Sequence, residues 1–165
     1  MGCLYCRTSC EISAQEHFSK ILIQGRLADS IAKAGYLVVL PDLFKGDAIP
    51  LQTPERGLNL TEWFSRHPTA EIDSIIESTI KYIRTELGSK KVGGVGYCLG
   101  GKYVPRFLAE GKGLDAGFIA HPSNLEILEI QAIAHPISMA AGGMSSLQVA
   151  CAELPLMRSR TRRRF

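Results

Sequence analysis

The stretch KKVGGVGYCLGGKY, residues 90–103, decides how this chain is read. Its first half, KVGGVG, has the composition of a strand packed so closely that glycines replace side chains. A helical pattern follows from about Leu99 to Glu110. Strand, tight glycine turn and helix is the setting in which α/β proteins place their chemistry. Three motifs compete for it. The phosphate loop G-x-x-x-x-G-K-[ST] is met at Gly96, Gly101 and Lys102, but Tyr103 stands where a small hydroxyl must meet magnesium. The dinucleotide pattern G-x-G-x-x-G is met at Gly94 and Gly96 and fails at Leu99, with Gly100 one residue late. The nucleophile elbow G-x-S-x-G, with cysteine for serine, is met at every position by Gly96-Tyr97-Cys98-Leu99-Gly100. An elbow holds its nucleophile in a strained turn, where small residues two before and two after relieve crowding. Backbone N–H groups at the start of the next helix can then receive negative charge on sulfur or on a developing oxyanion. A buried structural cysteine in a glycine turn is the plainer alternative.

Outward from this stretch, helix and strand patterns alternate from about residue 21. Leu27, Ile31 and Ala34 mark a helix face that Gly35 ends. YLVVLP, residues 36–41, reads as a buried strand. The Gly- and Pro-rich DLFKGDAIPLQTPERG is a loop, with a short helix around Trp63. Ile72, Ile75, Ile76, Ile80, Ile83 and Leu87 recur at helical spacing, and Gly88 closes that helix. Downstream, LDAGFIA reads as a strand, NLEILEIQAIA as a helix and HPISMAA as a last strand. The order predicts an α/β core over residues 21–142, a mostly parallel sheet with helices on both faces. Pro105, about two turns into the helix after Cys98, removes a backbone donor and is expected to kink it. Residues 1–20 supply no convincing strand, and residues 143–165 read as a divergent, disordered basic tail.

Composition narrows the function classes. A chain of 165 residues, 45% hydrophobic and 21% charged, is that of one soluble globular domain. No apolar run approaches the roughly 18 residues of a membrane span. MGCLYCRTSC lacks the apolar core of a secretion signal, and Cys6 stands where a myristoylation signal needs Ser or Thr. The five arginines of RSRTRRRF, residues 158–165, account for the positive sign: without them the formal charge falls from +3 to −2. That tail reads as a solvated end and not as a nucleic-acid patch. Five cysteines, an odd number, do not suggest a disulfide framework, so a reducing, cytoplasmic setting is expected. Cys3, Cys6 and Cys10 are bunched near His17 without a second pair at zinc spacing, and no metal site is expected.

Three blocks in order resemble the dienelactone hydrolase family, especially its fungal members. They are AKAGYLVVLPDLFKGD (32–47), VGYCLGGKYVPRFLAEGKGLDAGFIAHPS (95–123) and PISMAAG (136–142). The resemblance implies part of an α/β-hydrolase fold and a Cys-His-Asp triad that cleaves small-molecule esters or lactones without a cofactor. The thiolate attacks the carbonyl, an acyl-enzyme forms, and water releases the acid. On that match Cys98 is the nucleophile, the Leu99 N–H an oxyanion donor, and Gly96 and Gly100 the elbow glycines. Tyr97 helps to shape the turn, and Lys102 is a solvated or supporting residue, not a catalyst.

The departures are as informative. No Asp follows Asp115 and no His follows His135, so neither triad partner carries over from the family pattern. The strands and oxyanion loop that open the family fold have no match before residue 21, and neither Glu16 nor His17 is assigned to them. Among the histidines present, His121 lies at the C-terminal edge of the strand GFIA and is a site-lining residue. His67 and His135 sit beside prolines and read as turn or core residues. The reading is a cysteine hydrolase truncated at both ends, its tail the product of an altered frame, a splice or divergence. The alternative is an inactive binding or redox-responsive module. Missing strands would leave sheet edges open to self-association.

Overall fold

The computed structural model describes residues 5–6, 22–47 and 59–140. The chain divides into two compact units, Met1–Thr79 and Ile80–Phe165.

In the first unit, helix α1 (Leu22–Lys33) stops where expected, at Gly35, whose φ of +94° suits a residue without a Cβ. The apolar run that follows makes much less strand than its composition predicts. Only β2 (Val39–Leu40) is extended and paired, antiparallel to β1 (Tyr5–Cys6), with Tyr5 opposite Leu40 and Cys6 opposite Val39. Two expectations are corrected here: residues 36–41 are not one buried strand, and residues 1–20 do supply a short one. The cause is pairing. An apolar segment becomes a strand only where another edge takes up its backbone groups, and Tyr36 and Leu37 remain exposed.

Helix α2 (Leu60–Arg66) begins at Asn59, whose side chain accepts from the Glu62 N–H. It carries Trp63, the buried centre of this unit. The indole packs edge-on against Phe44 at 4.7 Å and tilted against His67 at 4.5 Å, and its Nε1–H donates to the Asp47 carbonyl. Asp47 also takes His67 and Arg66 at 3.0 and 3.2 Å. His67 is thus a packed turn residue, as its position beside a proline suggested. Helix α3 (Thr69–Thr85) follows the predicted period, with Ile72 and Ile80 buried along it.

The second unit is a parallel sheet of three strands in the order β3-β4-β5, formed by Gly93–Tyr97, Ala116–Ala120 and Ile137–Ala140. Val95 lies opposite Phe118, and Phe118 opposite Ser138. Helix α4 (Gly100–Phe107) packs on β3 and β4. The contact is close enough to need glycine: a Cβ on Gly94 would lie 2.5 Å from Leu114, and one on Gly117 2.6 Å from Leu108. Val104, Phe107, Leu108, Ile119, Ile130 and Ile133 fill the core against it. Val95 and Tyr97 alternate with the glycines along β3 and are half exposed.

Helix α4 runs through the buried Pro105 and ends at Phe107, short of the expected Glu110. Proline brings no N–H for the carbonyl one turn earlier, so the helix has a weak point there. Helix α5 (Ile127–Gln131) is also shorter than the pattern of residues 124–134 implies. Asn124, at φ +54°, cannot extend it backwards, and Ile133 is drawn into a bridge with Ala109.

Asp115 ties this unit together at the base of the sheet. Its carboxylate accepts from the Val92 N–H at 2.8 Å, Lys91 at 3.0 Å and Arg84 at 2.8 Å. The Val92 N–H first, then the Lys91 and Arg84 charges, hold its pKa to about 2 against an ordinary 3.8. A depressed carboxylate stabilises the fold above its unfolded pKa and loses that contribution as pH falls through its folded value. Asp115→Asn should therefore cost roughly 1 kcal/mol at pH 7, scaled down for solvent screening. Urea unfolding at a series of pH values should show the gap between variant and parent closing as pH drops from 4 towards about 2. A gap independent of pH would show that the charge contributes nothing.

Candidate active site

Cys98 stands in the turn between β3 and α4 with its side chain exposed. Its φ is +50°, a left-handed conformation that costs a residue with a Cβ. Neighbouring backbone holds it there. The Cys98 N–H donates to the Ala120 carbonyl at 3.1 Å, and the Cys98 carbonyl accepts from both Gly101 and Ser123 at 3.0 Å. The turn is therefore fixed to the end of β4 and to the loop that follows.

Close packing explains one glycine of the motif and corrects the reading of another. A Cβ on Gly96 would lie 2.3 Å from the Gly100 carbonyl oxygen, an impossible approach. A Cβ on Gly100 would meet nothing within 4 Å. The second crowded position is Gly101, where a Cβ would lie 2.7 Å from Pro122. Spacing alone assigned Gly100 the role that contact with a distant loop gives to Gly101.

Leu99 is the N-cap of α4. Gly101 and Lys102 donate back to the Cys98 and Leu99 carbonyls, whereas the Leu99 and Gly100 N–H groups make no backbone bond among the described residues. These two N–H groups stand at the N-terminal, positive end of the helix dipole, where negative charge is favoured.

Around the thiol, Ser123 brings its Oγ to 3.8 Å from Sγ. The Tyr97 ring lies 6.2 Å from that of His121, tilted by 48°. His121 is exposed, at φ +37°, and its N–H donates to Ala140. Among the described residues no histidine or carboxylate hydrogen-bonds to Sγ.

Lys102 is not solvated. It is buried, and its three ammonium protons have three acceptors: the Asn124 carbonyl at 2.9 Å, Glu126 at 2.9 Å and Glu129 at 3.0 Å. Arg106 reaches the same Glu129 oxygen at 2.7 Å, and the second oxygen takes the Glu126 N–H. Burial works against both charges. The hydrogen bonds that Lys102 donates to Glu126 and Glu129 still raise it above the ordinary lysine range. Burial likewise pushes Glu129 up, but the Glu126 N–H, Lys102 and Arg106 hold it below the usual carboxylate range. With every donor engaged, Lys102 has none for a phosphate, and Tyr103 is buried as well. The phosphate-loop reading fails on both counts.

Among the described residues no three His, Cys, Asp or Glu side chains gather to hold a metal, and no helix is long and apolar enough to cross a membrane. Cys3, Cys10 and His17 lie outside the described residues, as does the basic tail.

A model of the dienelactone hydrolase family matches residues 20–162. The chain belongs to the dienelactone hydrolase family. Its three parallel strands and their helices are part of that family's α/β-hydrolase fold, and the match reaches past Gly142, where the resembling blocks end. Among its family relatives, "Hydrolase pyvD" of Aspergillus violaceofuscus is 42% identical over 79% of this chain and 53% of the relative. "Hydrolase tropI" of Talaromyces stipitatus is 40% identical over 73% of this chain and 50% of the relative. "Dienlactone hydrolase 1" of Gibberella moniliformis is 32% identical over 73% and 49%. The chain thus spans about half the length of the curated relatives it matches.

Sequence reasoning placed Cys98, Leu99, Gly96, Tyr97 and His121 at one sheet end and missed Ser123, Glu126 and Glu129. The signal for the glutamates was Glu126-x-x-Glu129, which forms a reciprocal cap at the start of α5.

Two substitutions separate the glycines. Gly96→Ala should cost 2 kcal/mol or more, about the scale of core overpacking, while Gly100→Ala should stay within about 0.5 kcal/mol, both read by chemical denaturation. Equal losses would contradict the packing described. Lys102→Met should cost about 3 kcal/mol, the low end for breaking a buried pair, because Arg106 still partners Glu129. A neutral effect would mean that the cluster does not depend on its ammonium.

Proposed function

We propose that this chain carries the nucleophile of a carboxylic ester or lactone hydrolase, with Cys98 as that nucleophile and a small-molecule ester or lactone as substrate. The observation that carries the reading is Cys98 at φ +50° in the strand-to-helix turn of a dienelactone hydrolase family chain. The names of its relatives, two hydrolases and a dienlactone hydrolase, support the same class.

The proposed reaction runs in two halves, acylation of sulfur and its hydrolysis. The Cys98 thiolate adds to the substrate carbonyl carbon, forming a C–S bond and placing negative charge on oxygen. The Leu99 N–H, at the start of α4, donates to that oxygen. Collapse breaks the ester C–O bond, the departing oxygen takes a proton from solvent water, and a thioester on Cys98 remains. Water then adds to the thioester and gives a proton back to solvent, and C–S cleavage frees the acid and restores the thiolate. Tyr97 and His121, in ring contact, line the approach. These steps need no cofactor, and a reducing cytoplasm keeps the thiol free.

Incubation with p-nitrophenyl acetate tests the proposal. The parent chain should release nitrophenol over many turnovers, and Cys98→Ala should lower the rate on the order of 10³-fold. Release that stops at one equivalent would mean acylation without deacylation. No release at all would overturn the hydrolase reading in favour of an inactive binding or redox-responsive module.

A further inference from the structure

We infer that Ser123 is a positioning residue for the Cys98 thiol, and that buried Lys102 holds the loop that presents it. The inference rests on the reading of Cys98 as nucleophile.

The loop from His121 to Asn124 leaves the end of β4 in an unusual backbone. His121 and Asn124 both have positive φ, +37° and +54°. Strain of this kind persists only where surrounding structure over-determines it. Here each end of the loop and its middle are fixed. The His121 N–H is held by the Ala140 carbonyl at 2.9 Å, and the Ser123 N–H by the Cys98 carbonyl at 3.0 Å. The Asn124 carbonyl is held by the Lys102 ammonium at 2.9 Å. Pro122 fits against the bare Gly101. Lys102 and Gly101 both belong to the first turn of the helix that follows Cys98, so the elbow and the loop are built as one piece.

The consequence falls on one hydroxyl. With its backbone pinned to the nucleophile's own carbonyl, Ser123 places Oγ 3.8 Å from Sγ, within hydrogen-bonding reach of sulfur. While the sulfur is protonated, its S–H donates to Oγ. Once it is ionised, the hydroxyl hydrogen rotates to donate to sulfur. A serine hydroxyl at neutral pH does not take the thiol proton, so Ser123 is not the base. It selects the sulfur's orientation and supports its charge. The loop backbone does not depend on that hydroxyl, because the Ser123 contact that ties it to the elbow is made by its N–H.

This independence gives a clean test in the whole chain. Cys98 is labelled with iodoacetamide at pH 8 in the parent, Ser123→Ala and Ser123→Thr, and the rate is read at the Cys98 peptide by mass spectrometry. Thermal unfolding is followed on the same samples. Ser123→Ala should slow labelling on the order of tenfold, the worth of a hydrogen bond to a charged group, with an unchanged midpoint. Ser123→Thr, which keeps the hydroxyl, should restore most of the rate. Labelling of Ser123→Ala at the parent rate or faster would overturn the inference, as would failure of threonine to restore it. A rate that falls only in step with the unfolding midpoint would overturn it too. Labelling requires no turnover, so the two readings fail separately. Slow labelling of Ser123→Ala in a chain that never hydrolyses an ester upholds the positioning role and sinks the hydrolase. Hydrolysis together with unaltered labelling does the reverse.

Discussion

One backbone angle organises the second unit of this protein. Cys98 is held at φ +50°, where a residue with a side chain does not rest unaided. The strain is sustained because three backbone hydrogen bonds converge on that one residue, from Ala120, Gly101 and Ser123. Two glycines make the convergence possible. Gly96 lets the end of β3 lie against the start of α4, and Gly101 lets the loop after β4 close over it. The result leaves one thiol exposed in the turn, with two backbone N–H groups at the start of the helix that follows it. Local strain, packing and proposed chemistry are here a single arrangement.

The buried charges are the second part of that arrangement. Burying an ammonium and a carboxylate is unfavourable unless each finds full hydrogen bonding. Lys102 and Glu129 satisfy that condition with Asn124, Glu126, Arg106 and the Glu126 N–H. Replacing such a cluster by apolar residues is often neutral or stabilising in other proteins. Its use here is better understood as placement. It fixes the register between the first turn of α4 and the loop carrying His121, Ser123 and Asn124, which greasy contacts would leave free to slide.

What was legible in the sequence was what depends on near neighbours. The period of Ile72 to Leu87 marked α3, Gly35 marked the end of α1, and the spacing around Cys98 marked the turn. The alternation of patterns was enough for a parallel α/β sheet. What was not legible depends on residues far away in the chain. YLVVLP has strand composition, but only Val39–Leu40 finds a partner, in residues 5–6. Gly101, and not Gly100, is crowded because of Pro122, which arrives from another loop. Lys102 looked like a surface lysine because its partners lie 22 to 27 positions downstream. The triad Asp and His of the family pattern are a different matter, since no Asp follows Asp115 and no His follows His135 in this sequence.

The proposed chemistry has Cys98 attacking from a strained turn while the Leu99 N–H receives the oxyanion. A crystal structure of the chain acylated at Cys98 by a slowly released aryl ester measures both at once. Cys98 should keep its positive φ, and the acyl oxygen should lie about 3 Å from the Leu99 nitrogen. Cys98 relaxed to negative φ, with the acyl oxygen turned into solvent, would contradict it.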